Sequence, residues 1–120
     1  MIRPIFILLA LTLPAIAQSA TSAKRAADDT REFVDRCRVY TGDTDERHAA
    51  AIRCLSYIQG FKDGLAFAGG EPKFCVPPRV LFGDEVAVFV RWANQHPDSL
   101  GESKQATLMK FYLETYPCPK

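Results

Sequence analysis

CLSYIQGFKDGLAFAGG, residues 54–70, sets Cys54, Leu55, Ile58, Phe61 and Leu65 at helical spacing, with Ser56, Gln59 and Asp63 on the opposite side. This is one apolar stripe on one helix. Ala51 extends the stripe backward, so the predicted helix runs from about Asp45 to Phe67, and Gly69-Gly70 stops it. Gly60 and Gly64 interrupt the pattern four residues apart. A glycine inside a helix costs about 1 kcal/mol relative to alanine. Both fall beside the stripe next to Tyr57, where the missing side chains leave a shallow groove. Close packing of another helix, from this chain or from a second copy, would offset the cost. A ligand in the groove is the competing reading. The G-x-x-x-G spacing signals helix contact mainly in membranes, so Tyr57, Gly60 and Gly64 stand here as a candidate packing groove.

Upstream, Asp28 or Asp29 opens a first helix. Asp29 with Glu32 has capping-pair spacing, and Phe33, Val34, Cys37 and Tyr40 share one face. Gly42 closes it, and Asp43 with Glu46 resembles the next cap. Downstream, EPKFCVPPR (71–79) holds three prolines and reads as loop. A third helix is predicted over about Gly83–His96. Asp84 and Glu85 suit its positive end, Val86, Phe89, Val90 and Ala93 form its buried face, and Pro97 stops it. The run VAVFV (86–90) is also compatible with a strand. Ser99 with Glu102 opens a fourth helix reaching about Tyr116, with Leu108, Phe111, Tyr112 and Thr115 at helical intervals. The fold class is therefore all-α: a small bundle of about four helices, forming one domain over residues 28–120.

The N-terminus reads as an export signal. Arg3 supplies a positive charge, Ile5–Ile16 is almost wholly apolar, and Ala15-Ile16-Ala17 is a small-x-small cleavage site. Residues 1–17 are the expected signal peptide, cleaved after Ala17; an uncleaved anchor is the alternative. Gln18–Ala27 is expected to be a flexible leader. Without Arg3 the 15 basic residues fall to 14, against 14 acidic ones. A balanced chain with no run of like charge argues against nonspecific binding to nucleic acid, and against a membrane surface after signal cleavage.

Export places Cys37, Cys54, Cys75 and Cys118 where disulfides persist. Four cysteines allow three pairings, and sequence alone does not choose among them. Antiparallel neighbours weigh the choice. Cys37 near the end of one helix faces Cys54 near the start of the next, while Cys75 and Cys118 flank the last hairpin at one end. Cys37–Cys54 with Cys75–Cys118 is the favoured set.

A search for chemistry finds little. His48 and His96 form no zinc-type spacing, the cysteines have no C-x-x-C, and no glycine-rich phosphate loop is present. His96 before Pro97 suits a helix C-terminus; His48 sits among charges and reads as solvated. A cysteine nucleophile would need a free thiol, which an even count in an oxidising compartment disfavours. Trp92 reads as core, with a partner contact as the other use. No catalytic residue, cofactor or metal is expected.

The order of these pieces resembles the Tai-type (Rap/Tai) immunity proteins. An export signal precedes CLSYIQGFKDGLAF, then FCVPP, then a helix ending in HP and one ending in YPC. Cys54, Tyr57, Gly60, Gly64, Phe74, Cys75, Pro77, Pro97, Pro117 and Cys118 carry the likeness, between about Thr30 and Cys118. The resemblance implies a periplasmic, disulfide-bonded helical protein that dimerises and plugs the cleft of a peptidoglycan amidase delivered by type VI secretion. Its matching residues are structural, so toxin contacts fall to variable loops. The turn from Gln95 to Glu102 is the expected plugging element, with Gln95, His96, Pro97, Asp98 and Ser99 as partner-binding residues; an ordinary helix connection is the other reading. Two further functions compete: a small periplasmic chaperone or acid-stress protein, and a thiol oxidoreductase.

Overall fold

The computed structural model describes residues 15–38 and 45–120. Four α-helices follow one another: α1, Ala15–Arg38; α2, Asp45–Ala68; α3, Phe82–Gln95; and α4, Lys104–Thr115. A 3₁₀ turn, Pro97–Gly101, joins α3 to α4. The described residues contain no strand, so VAVFV lies within α3. The part of the expected export segment before Ala15, the expected Gly42 stop and the expected Asp43 cap lie outside the described residues.

Helix α1 begins thirteen or more residues before the expected cap at Asp28 or Asp29, and Gln18–Ala27 is helical and continuous with it. The physical reason is local. SATSAKRAA is rich in alanine and holds no glycine or proline, so it has helix propensity although it lacks an apolar stripe. Residues 19–25 are accordingly exposed, and burial becomes continuous only near Thr30.

From Thr30 to Cys37, α1 is the element on which the others meet; it packs against α2, α3, α4 and the 3₁₀ turn. Phe33, Val34 and Cys37 enter the core with Cys54 and Ile58 of α2, Val86, Phe89, Trp92 and Ala93 of α3, and Leu108, Phe111 and Tyr112 of α4. Aromatic rings run through it in tilted and edge-to-face contacts: Phe33 to Phe89 at 5.9 Å, Phe89 to Phe111 at 5.1 Å, and Trp92 to Phe111 at 5.8 Å. The buried Thr30 hydroxyl donates to the Glu102 carbonyl at 2.6 Å, which fixes the start of α4 against α1.

Helix α4 does not open at Ser99. Its N-cap is Ser103, whose hydroxyl accepts from the Ala106 amide at 3.2 Å. Ser99 instead lies in the 3₁₀ turn, with its carbonyl accepting from the Thr107 hydroxyl at 2.8 Å. Gly101 separates the two serines, and the better helix formers start only at Lys104.

Cys37 is bonded to Cys54 and Cys75 to Cys118, with Cα separations of 5.2 and 4.7 Å. These are the pairings that the two-hairpin argument favours. The first closes 17 residues and the second 43. By restriction of the unfolded chain they contribute about 3 and about 4 kcal/mol respectively. No described helix is long and apolar enough to cross a membrane.

Candidate functional site

Helix α2 ends where Gly69 and Gly70 adopt φ of +76° and +89°, a backbone that side chains other than glycine rarely tolerate. The chain then turns back along the last turns of α2 and encloses a cleft of about 410 Å³. Leu65, Ala66 and Ala68 form its helical side; Glu71, Pro72 and Phe74 form its outer wall. Phe74 stacks on Tyr112 with centroids 4.2 Å apart, and the Cys75 amide donates to the Tyr116 carbonyl at 2.8 Å. Together with the Cys75–Cys118 bridge, these contacts seat the wall on the bundle.

Lys62 also lines the cleft, and it leads to a polar cluster in the core. Its ammonium donates to both oxygens of Glu85, at 2.9 and 3.0 Å. The Tyr112 hydroxyl donates to the same carboxylate. Glu85 is 2 % exposed. Phe82 and Tyr112 present their rings to the Lys62 ammonium at 5.4 and 5.8 Å. Burial pushes the Tyr112 phenol well above its ordinary range, and the hydrogen bond to Glu85 and its negative charge push the same way. Glu85 is therefore more than a helix-terminus charge: it lies in the first turn of α3 but points inward, where a carboxylate needs partners.

Beside the cleft, Phe67 is 95 % exposed, between two residues that line it. An isolated, fully solvated phenyl ring on a helix is an available anchor for a partner.

The two glycines face outward. A Cβ built on Gly60 or Gly64 would have nothing within 4 Å, so among the described residues no helix packs on them. The expected close contact from another helix of the chain is therefore absent among the described residues. The groove's third member, Tyr57, turns the other way: it meets Phe33 at 4.9 Å, and the Lys104 ammonium sits 5.0 Å from its ring. Position on the helix explains the split: Tyr57 lies level with Phe33 of α1, while Gly60 lies further round and Gly64 lies about two turns on toward the end of α2. Burial raises the Tyr57 phenol, Lys104 opposes that shift, and Asp29 adds to it.

Gln95–Ser99 forms the corner between α3 and the 3₁₀ turn. Gln95, Pro97 and Asp98 are exposed, while His96 and Ser99 are half-buried. His96 is the C-cap of α3; its ring stacks on Trp92 at 4.4 Å and its Nδ1 bonds the Trp92 carbonyl at 2.8 Å. The Trp92 indole N–H donates to Glu114 at 2.8 Å, which satisfies its polar edge from α4. The corner is thus a braced helix connection with three outward side chains. His48 is exposed, and no group of three or more His, Cys, Asp or Glu among the described residues could hold a metal.

The polar cluster, the cleft and Phe67 escape a reading of residue types alone. One signal was present: Lys62 falls four residues after Ile58 and three before Leu65, and Glu85 four before Phe89. A charge of each sign on an apolar stripe is the pattern of a buried pair.

Two comparisons, with curated proteins and with solved structures, returned no match. The sequence model for Rap1a immunity proteins, in contrast, matches residues 29–118. That span starts just before the buried half of α1 and ends on Cys118, so it takes in both disulfides, the core, the polar cluster and the cleft. The chain belongs to the Rap1a immunity protein family.

Proposed function

We propose that the protein is exported to the periplasm and neutralises a peptidoglycan amidase effector by binding and occluding it, with no reaction of its own. The observation that carries this reading is the family match over residues 29–118. The amidase and its delivery by type VI secretion rest on the resemblance of the sequence to the Tai-type proteins. The apolar N-terminal segment and the paired cysteines support export to an oxidising compartment. The exposed Phe67 and the adjoining cleft supply the contact surface that the geometry favours, since a solvated aromatic beside an apolar recess suits a protein partner. Gln95, Pro97 and Asp98 form the second, more polar candidate. Dimerisation belongs to the same reading and is checked by the solution mass.

The test is co-purification of the mature chain with candidate amidases, including one encoded beside its gene, joined to a protection assay in cells that make the toxin in the periplasm. Phe67→Asp should weaken the complex by roughly 30-fold or more, as loss of an anchor side chain does, while Asp98→Ala should matter less. No complex with any amidase, and no protection, rules the function out. A complex that ignores Phe67→Asp but fails with Asp98→Ala moves the contact to the α3 corner.

A further inference from the structure

We propose that Cys75–Cys118 is a reducible fastener on the cleft: a dithiol opens it before the Cys37–Cys54 bridge, and its opening frees the cleft's outer wall while the four helices stay folded.

The two bridges occupy different surroundings. Cys37 and Cys54 are 2 % and 1 % exposed and sit in the core between α1 and α2. Cys75 and Cys118 are half-buried, on non-helical segments outside the buried cluster. Thiol–disulfide exchange requires a thiolate to reach a disulfide sulfur, so access ranks the two bridges. The chemistry balances without any other reactant. One dithiol sulfur attacks the bridge and forms a mixed disulfide; its second sulfur then displaces the remaining cysteine. The Cys75–Cys118 bond breaks, a disulfide forms within the dithiol, and the dithiol's two protons end on the two cysteine sulfurs.

What opening releases follows from how the wall is attached. Between the end of α2 at Ala68 and the start of α3 at Phe82, the wall's backbone bond to the bundle runs from the Cys75 amide to the Tyr116 carbonyl. The other backbone bonds of that stretch are local, Gly69 to Ala66, Val80 to Pro77 and Glu85 to Leu81. The tail after α4 contains Pro117 and Pro119, which cannot donate a backbone hydrogen bond. Cys118 brings this tail to the wall, its sulfur 3.7 Å from the Pro72 carbonyl oxygen. The bridge therefore joins two segments that have little secondary structure of their own. After reduction Phe74 on Tyr112, Val76 on the core and the Cys75–Tyr116 backbone bond remain as contacts near one point of the wall, and without the covalent tie the exposed stretch on either side of them is free to open. Helices α1 and α2 keep their own bridge throughout.

A consequence for the effector rests on the docking reading above; the bridge chemistry does not. The full oxidised chain is titrated with dithiothreitol, trapped with a maleimide, and mapped by peptide mass spectrometry. Hydrogen exchange and far-ultraviolet circular dichroism are recorded at each step. Cys75 and Cys118 should label at a reductant concentration at least tenfold below that needed for Cys37 and Cys54. Exchange over 70–80 and 116–120 should then rise at least tenfold, with helical signal and exchange over 82–95 unchanged. The Cys75→Ser/Cys118→Ser double variant should show the same exchange pattern, and the singly reduced, alkylated chain provides that state if the variant folds poorly. Simultaneous labelling of all four cysteines, earlier labelling of Cys37 and Cys54, an unchanged 70–80 segment, or loss of helix on the first reduction each overturns the proposal. None of these measurements uses a partner, so a failed docking surface leaves their outcome intact.

Discussion

Removing Lys62 should harm the fold more than removing Glu85, although the two share one ion pair. The Glu85 side chain is 3 % exposed and that of Lys62 is 25 % exposed. In Lys62→Met the aliphatic stem is kept and the two ammonium contacts at 2.9 and 3.0 Å are lost. The carboxylate stays in the core with Tyr112 as its remaining donor. Leaving a buried charge without its counter-charge costs about 3 kcal/mol, the lower end of the range for a broken buried pair. Glu85→Gln is different. The amide keeps the volume and an oxygen for the Tyr112 hydroxyl, and the stranded ammonium can turn to water or stay over the Phe82 ring. Its cost is about 1 kcal/mol, one hydrogen bond's worth. The double variant removes both charges and should be less unstable than the sum of the singles by about 1–3 kcal/mol, the coupling of groups in direct contact. Urea unfolding under oxidising conditions, followed by circular dichroism and Trp92 fluorescence, gives the three numbers. Equal costs for the two singles, or strict additivity in the double, would refute the claim that Lys62 neutralises a buried carboxylate.

Two other outcomes follow from the same structure. Gly60→Ala and Gly64→Ala should each stabilise the monomer by about 0.5–1 kcal/mol, because alanine restricts the unfolded chain and meets nothing within 4 Å when folded. A lower melting temperature, or a changed solution mass, would reveal a neighbour on that face. At alkaline pH, burial holds Tyr112 protonated above the ordinary phenol value of about 10, and Tyr57 and Tyr116 shift the same way. A raised folded pKa means the stabilisation is complete below the unfolded value and declines as pH rises beyond it. Tyr112 phenolate absorbance should thus appear together with loss of helix, and a fold that persists with every tyrosine ionised would contradict the Glu85–Tyr112 contact.

The features legible in the sequence were those that short-range spacing controls. The α2 stripe gave Asp45 to about Phe67, and the helix ends at Ala68. Pro97 and the glycine pair marked stops because they act through backbone chemistry at their own positions. The N-terminal part of α1 was missed for the opposite reason: its alanines favour a helix without leaving an apolar period to read. Ser99 and Ser103 were equally good caps by type, and the choice fell to tertiary contacts, the Thr107 hydroxyl on the Ser99 carbonyl and the Thr30 hydroxyl on Glu102. Gly60 and Gly64 were correctly placed beside the stripe, but a helical wheel does not say whether a neighbour covers that side. The site depended most on such information, since Lys62, Glu85 and Tyr112 come from three helices and meet only in the folded chain.

That meeting also explains how the cleft is placed. Helix α2 packs principally on α1: Cys37 meets Cys54 and Phe33 meets Tyr57, an antiparallel progression along the pair. Further along, α2 reaches the other two helices through Phe61 on Tyr112, with centroids 6.2 Å apart, and through Lys62 on Glu85. An aromatic contact tolerates sliding, because rings remain favourable at many offsets. Two charge-assisted hydrogen bonds to one carboxylate do not, since they weaken once distance or angle is lost. The buried pair therefore fixes where the last turns of α2 lie relative to α3 and α4, and those turns carry Leu65, Ala66 and Phe67. Tyr112 ties the opposite wall to the same point, with Glu85 on its hydroxyl and Phe74 on its ring. Both sides of the cleft are referred to one buried carboxylate, which gives a desolvated charge a positional role even where an apolar core would be as stable.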